Sequence, residues 1–205
     1  MNAEIKSSIR STLEDSALIK AIQEGDKGGF DELVLRHKDK VFNLCYRFLG
    51  DHQEANDSAQ EIFIKVYGSL QKFRMESSFS TWLYRIAVNT CKNRVKSLEY
   101  RFKKRMKRLN SQEVTNGNNP SFEIADETQS PLIAFEKKER ALMIQKAIDS
   151  LPESKKTMVL LRDIEGLSYD KIAEITGLNL GTVKSKLARA RYDLRKKLRP
   201  LGGVT

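Results

Sequence analysis

Residues 168–198, SYDKIAEITGLNLGTVKSKLARARYDLRKKL, leave few options for how the chain folds. Ser168 is placed to cap a short helix in which Ile172, Ala173 and Ile175 are apolar. Gly177 closes that helix, because glycine enters the left-handed conformation at little steric cost. A tight turn, Gly177-Leu178-Asn179, comes next, and a second helix is expected from about Gly181. Val183, Leu187, Ala190, Leu194 and Leu198 recur in it at helical spacing as one apolar stripe. At about one hundred degrees per residue, Ser185, Ala188, Arg189 and Tyr192 point the other way, flanked by Lys184, Lys186 and Arg191. That face is basic with a small residue at its centre.

A short helix, a glycine-containing turn and a second helix with polar side chains outward form a helix-turn-helix, whose second helix enters the major groove of DNA. Ala188 is small enough to let the helix axis approach the bases. A run of Lys and Arg is by itself usually a solvated face. The Ala173, Gly177, Leu178 and Val183 spacing that accompanies this one favours DNA.

The rest of the composition agrees. A formal net charge of +10 over 205 residues calls for a polyanionic partner, nucleic acid before an acidic membrane surface. No apolar run approaches the length of a membrane span, and MNAEIKSSIR is followed by no apolar signal segment, so a cytoplasmic protein without membrane insertion is expected. Cys45 and Cys91 are isolated thiols, and with only His37 and His52 beside them there is no metal-ligand spacing. Both cysteines read as small core residues. No Gly-rich phosphate loop is present, and no metal, cofactor or small-molecule substrate is implied.

In chain order, residues 1 to about 14 have weak periodicity, and Asp15 to Glu24 read as a short helix ended by Gly25. A long helix from about Lys27 carries Phe30, Leu33, Val34, His37, Val41, Leu44, Cys45 and Phe48 on one stripe and stops at Gly50. His37 within that stripe reads as a core or boundary histidine. Asp51 is placed to cap the following helix, whose inward residues are Ala55, Ala59, Ile62, Phe63, Val66 and Leu70. Opposite them, Asp57, Gln60, Glu61 and Ile64 form an acidic patch around one exposed apolar side chain. A catalytic pair would need burial, a nucleophile or a metal nearby, so this face reads as a docking patch for a basic protein surface.

The segment QKFRMESSFSTW then concentrates Lys72, Phe73, Arg74, Phe79 and Trp82 and runs into a helix from about Ser80. Phe79, Leu83, Ile86, Ala87 and Thr90 are its inward positions. Arg85, Val88, Asn89 and Lys92 are expected outward, with Trp82 and Asn93 beside them. Aromatic rings interleaved with cations suit single-stranded DNA, since bases stack on the rings while cations follow the phosphates. Packing of Trp82 into a small helical core is an equal alternative at this point. Past that helix, Lys92, Arg94, Lys96, Arg101, Lys103, Lys104, Arg105, Lys107 and Arg108 are opposed only by Glu99. Residues 109–131 then hold Glu113, Glu123, Asp126 and Glu127 with no Lys or Arg, and are rich in Asn, Ser, Gly and Pro. Too apolar-poor to offset the entropy of ordering, they read as a flexible linker.

Helical periodicity returns near Pro131, with Ala141, Ile144, Ala147, Ile148 and Leu151 on one face. Pro152 suits the first turn of the next helix, PESKKTMVLLRDIEG, which Gly166 ends. The fold class is therefore all-α. Two small helical domains, 15–100 and 132–200, are joined by a basic then acidic linker at 101–131, and the second is a four-helix domain with the helix-turn-helix.

This order of parts resembles a bacterial sigma factor of the extracytoplasmic-function (ECF) group. The likeness rests on FDELVLRHKDKVFNLCYRFLGD, ANDSAQEIFIKVY, FSTWLYRIAVNTCKNRV and LPESKKTMVLLRDIEGLSYDKIAEITGLNLGTVKSKLARAR. It implies a non-enzymatic promoter-specificity subunit that binds core RNA polymerase and promoter DNA. Asp57, Gln60, Glu61 and Ile64 would face the beta-prime clamp helices, and the beta subunit would be contacted too. Lys72, Phe73, Arg74, Trp82, Arg85, Asn89 and Lys92 would open and hold the minus-ten element, where a pocket offsets the few kcal/mol of unstacking a base. Lys184, Ser185, Ala188 and Arg189 would lie near the bases of the minus-thirty-five element, with Arg191 on phosphate. The resemblance further implies an acidic linker threading the polymerase channel, an anti-sigma partner and a role in environmental or envelope stress. An autonomous, LuxR-like regulator is the alternative, although residues 15–100 lack the alternating strands and helices of a receiver domain. A recombinase would need a nucleophile or a carboxylate cluster that the chain does not present.

Overall fold

A computed structural model of the chain describes residues 13–26, 28–109 and 131–199, except for the side chains of residues 100, 103–109 and 131–138. Among the described residues every regular element is helical. In order these are α1 (Asp15–Gln23), α2 (Gly29–Leu49), α3 (His52–Leu70), α4 (Phe79–Leu109), α5 (Pro131–Asp149), α6 (Glu153–Val159) with a π-helical turn at Leu160–Ile164, α7 (Tyr169–Thr176) and α8 (Leu180–Leu198). None of these helices is long and apolar enough to cross a membrane. The chain divides into two compact units: α1, α2, α3 and α4 up to Arg94 build the first, and α5 to α8 belong to the second.

The first unit closes over the stripes read from periodicity. Leu33, Val41, Leu44, Cys45 and Phe48 of α2 and Ala55, Ala59, Ile62, Val66 and Leu70 of α3 are buried. Each large side chain so removed from water contributes about 1.5–3 kcal/mol before entropy is counted. Leu18, Ile19 and Ile22 bring α1 onto α2. The crossing is so close that a Cβ on Gly29 would meet Ile22 at 2.9 Å, which only glycine avoids. Phe63 is half-buried rather than inward.

Two expectations for α4 change. Val88, expected outward, is buried, as are Thr81, Tyr84 and Cys91. The physical reason is that α4 is covered from two sides: Cys91 Sγ lies 3.6 Å from Cys45 Sγ of α2, and Lys65 of α3 donates to Thr90 Oγ1 at 3.1 Å. A helix gripped by two neighbours buries more than a single stripe. In addition α4 continues to Leu109, so the basic start of the 101–131 stretch is helical. Lys, Arg, Met and Leu are good helix formers, and no Gly or Pro interrupts them. The acidic part, residues 110–130, and the N-terminal residues 1–12 lie outside the described residues.

In the second unit α8 is the central element, packed by α5, α6 and α7. Ala147, Ile148 and Leu151 are buried as expected, but Ala141 and Ile144 are exposed, because among the described side chains of α5 the buried ones lie at its C-terminal end. The single helix expected after Pro152 is instead α6 followed by the π-helical turn. Pro152 stands at the N-cap, where its carbonyl accepts from Lys155 N and Lys156 N at 2.9 and 3.0 Å. Widening to i→i+5 bonding, Glu165 N to Leu160 O at 3.0 Å, accompanies the descent into Gly166, which takes φ +68°. Arg162 closes this corner, donating to Leu167 O at 2.8 Å with its guanidinium 4.8 Å from the Tyr169 ring centre.

Candidate nucleic-acid and docking interface

The helix-turn-helix forms from its own caps. Ser168 Oγ accepts from Lys171 N at 3.2 Å, and Gly177 ends α7 at φ +69°. Asn179 then caps α8, its Oδ1 accepting from Thr182 N at 2.8 Å, which starts α8 at Leu180. That cap was not read from sequence, although Asn before an apolar-periodic run is a known start signal. With Ile172, Ile175, Val183, Leu187 and Ala190 buried, the two helices are locked together. The opposite face of α8 is then bare: Lys184, Ser185, Ala188 and Arg189 are all exposed, and Tyr192 is 68% exposed. Ser185 Oγ is turned back to Thr182 O at 3.1 Å.

Arg191 is exposed as well, but it is not a free cation. Its guanidinium is bidentate to Asp163 on the π-helical turn, Nε donating to Oδ2 at 3.2 Å and Nη2 to Oδ1. The hydrogen bond to Asp163 raises its pKa further above the ordinary arginine value. Asp163 was missed in the sequence, since nothing in linear order brings it to α8. The ion pair uses one edge of the fork, and a hydrogen bond with Tyr169 raises the pKa of the same guanidinium further.

In the first unit Asp57, Gln60, Glu61 and Ile64 share the exposed side of α3, with Ile64 71% exposed. The patch is less acidic than its residue types suggest. Glu61 lies 2.6 Å from Lys65, and Asp57 3.8 Å from Arg94, whose Nε is held by Glu54. Gln60 also lines a cleft of about 300 Å³ with Val34, Lys38, Asp39, Phe42, Asn56, Ala59 and Phe63. Neighbouring apolar groups are exposed too: Tyr67, at 56%, has its ring centre 4.9 Å from that of Phe30, and Leu35 is 58% exposed.

The remaining candidates meet where α3 runs into α4. Lys72 and Arg74 are exposed, and Arg74 makes a long, solvent-screened pairing to Glu76 at 4.0 Å. Phe73 and Trp82 are half-buried against each other with ring centres 4.7 Å apart, and Trp82 is 6.0 Å from Phe79, whose ring meets His37 at 5.2 Å. Trp82 therefore has a packed side and a partly open one. Asn89 is exposed, while Arg85 and Lys92 are half-buried beside it. Residues 33–100 match the model of Sigma-70 region 2, and residues 141–194 match that of Sigma-70, region 4.

Whole-chain similarity decides the family. The chain is 41% identical to RNA polymerase sigma-H factor of Pseudomonas aeruginosa over 92% of its own length and 95% of that protein. It is 37% identical to ECF RNA polymerase sigma-E factor of Haemophilus influenzae, covering 92% of this chain and 97% of the relative. The chain belongs to the ECF group of the sigma-70 family. Its all-helical fold is shared with the sigma factor RpoE solved in complex with the anti-sigma factor NepR from Bartonella quintana. There the TM-score is 0.59 at 20% identity over 83% of this chain and 96% of that one. Sigma factors direct RNA polymerase to promoters and act in transcription initiation, and this sigma factor carries both the region 2 and the region 4 modules for that work.

Proposed function

We propose a division of labour for this sigma factor in which each exposed face has one partner. The outer side of α3, through Asp57, Gln60, Glu61 and Ile64, docks the beta-prime clamp helices of core RNA polymerase. Lys72, Phe73 and Arg74 in the loop after α3, with Trp82, Arg85, Asn89 and Lys92 of α4, open the minus-ten element and hold a displaced base. On α8, Lys184, Ser185, Ala188 and Arg189 read the minus-thirty-five element as duplex, with Arg191 on phosphate. Residues 15–100 and 132–200 are the two working domains, and the acidic part of 101–131 threads the polymerase channel. The chain acts in the cytoplasm, carries out no chemistry of its own, and uses no cofactor or small-molecule substrate.

The observation that carries this reading is the bare face of α8. Lys184, Ser185 and Arg189 are exposed around Ala188 on a helix whose opposite side is buried at Val183, Leu187 and Ala190. An anti-sigma factor is a further partner of this reading and would restrain the protein; the RpoE sigma factor that shares its fold is solved in complex with one. Relief of that restraint by an environmental or envelope stress would make the faces available.

Runoff transcription with core polymerase on a library of promoter fragments tests the reading, using wild-type protein and an Asp57→Ala/Glu61→Ala double variant. Specific transcripts from the wild type, reduced about tenfold or more in the variant, are expected. Equal transcription from both would remove the α3 face from the docking role. A protein that shifts a defined duplex alone at physiological salt, yet supports no transcription, would instead be an autonomous helix-turn-helix regulator.

A further inference from the structure

The loop between α3 and α4 is held by a helix to which the readings above assign no role. Gln23, the last residue of α1, spends both amide protons on it: Nε2 donates at 3.0 Å to Leu70 O and at 3.0 Å to Phe73 O. Gln71 returns the contact, donating to Ile22 O at 3.3 Å. Leu70 O and Ile22 O also accept backbone N–H groups just past their helices, from Phe73 N at 3.1 Å and Gly25 N at 3.0 Å. Each glutamine therefore adds a second hydrogen bond to the last turn of the other's helix, and Gln23 reaches three residues further into the loop.

The far end of the loop is fixed as well. Ser78 Oγ accepts from Thr81 N at 3.2 Å and lies 2.8 Å from Thr81 Oγ1. Between the two anchors Met75 is at φ +56°, in the left-handed region that a side chain disfavours, and the flanking Arg74 and Glu76 side chains are 84% and 78% exposed. A non-glycine residue stays in such a conformation where its surroundings over-determine it, and segments of this kind gather at ligand-holding sites. A loop clamped at both ends and strained in the middle has its shape set before any ligand arrives.

We infer that Gln23 is a positioning residue for base selection: by tying Leu70 and Phe73 to α1 it presets the loop that presents Lys72, Phe73 and Arg74 beside Trp82. This rests on the reading of that loop as the holder of the minus-ten strand. Glutamine suits the position because its amide nitrogen donates two hydrogen bonds, whereas the nearly isosteric glutamate, when ionised, donates none.

The test uses the full chain with core polymerase and a randomised pool of single-stranded DNA about a dozen nucleotides long, sequencing what is retained. Wild type, Gln23→Glu, Gln23→Met and Trp82→Ala are run in parallel. Enrichment of the preferred sequence over the pool is expected to fall about tenfold in both Gln23 variants, the consequence of losing one to two ordinary hydrogen bonds of loop order. Faster amide exchange confined to residues 71–78 should accompany it. Gln23→Met keeps the test decisive if the buried-side charge of Gln23→Glu impairs folding. Retention that weakens equally for every sequence, with the preference intact, would make Gln23 merely structural and overturn the inference. If Trp82→Ala relaxes the preference while both Gln23 variants keep it, the loop reading stands and the role of Gln23 fails. If no variant changes the preference, the loop reading itself fails, and the inference with it.

Discussion

Asp15 joins α1 to α2 through charge rather than through packing. His37 Nε2 lies 2.8 Å from Asp15 Oδ2, and Arg36 Nη1 is 3.2 Å from Oδ1 while also donating to Leu13 O at 2.5 Å. The hydrogen bond from His37 is the main cause that lowers the Asp15 pKa below the ordinary 3.8. A carboxylate with a depressed folded-state pKa contributes stability that is complete above its unfolded value and disappears as pH falls through the folded one. Denaturant unfolding at a series of acidic pH values should therefore show Asp15→Asn with a shallower loss of stability below pH 3.8 than wild type. Identical acid profiles would mean that the pair does not hold α1 in solution. His37 was legible as a core or boundary residue from its place in the α2 stripe, but its carboxylate partner, 22 positions away, was not. The same limit applies to Cys45 and Cys91: burial followed from their apolar neighbours, and their 3.6 Å contact followed only from the crossing of α2 and α4.

Helix α8 has a packed and an open side. Leu187 is 2% exposed and Leu180 37% exposed on the same helix. Leu187→Ala should destabilise the second unit by about 2–5 kcal/mol, combining lost transfer energy with a cavity. Leu180→Ala should cost less than about 1 kcal/mol, as surface truncations do. Calorimetry or hydrogen exchange of α7 and α8 distinguishes the two, and equal effects would show that α8 is not packed as described. Helix starts and stops were largely readable here, because Ser168 and Gly177 act within their own turn of chain. The break of the helix after Pro152 into a π-helical turn was not readable, since its corner is shaped by Arg162 reaching Leu167 O and the Tyr169 ring. The exposed Ala141 and Ile144 were misread for a related reason: periodicity reports which residues share a face, and only a neighbouring helix makes that face a core.

For the molecule as a whole, a net charge of +10 makes DNA binding strongly salt-dependent. Affinity for duplex DNA should fall linearly with salt on logarithmic axes, with about 0.9 of slope for each phosphate neutralised. Arg191→Ala should reduce that slope by about one if its remaining donors reach phosphate. Asp163→Ala, which releases the same guanidinium, should not reduce it. An unchanged slope in Arg191→Ala would confine that residue to bracing α8 against the π-helical turn. The all-helical class, the helix-turn-helix, the faces of α3 and α8 and the family resemblance were all available in linear order. Each depends on periodicity, capping residues and short motifs, which operate over one or two helical turns. Contacts that join distant segments were settled by folding: the burial of Val88 between two neighbours, the Arg191–Asp163 pair and the grip of Gln23 on the α3–α4 loop. Those depend on crossing distances and angles between helices, to which many side chains contribute at once, and a pattern within one helix does not encode them.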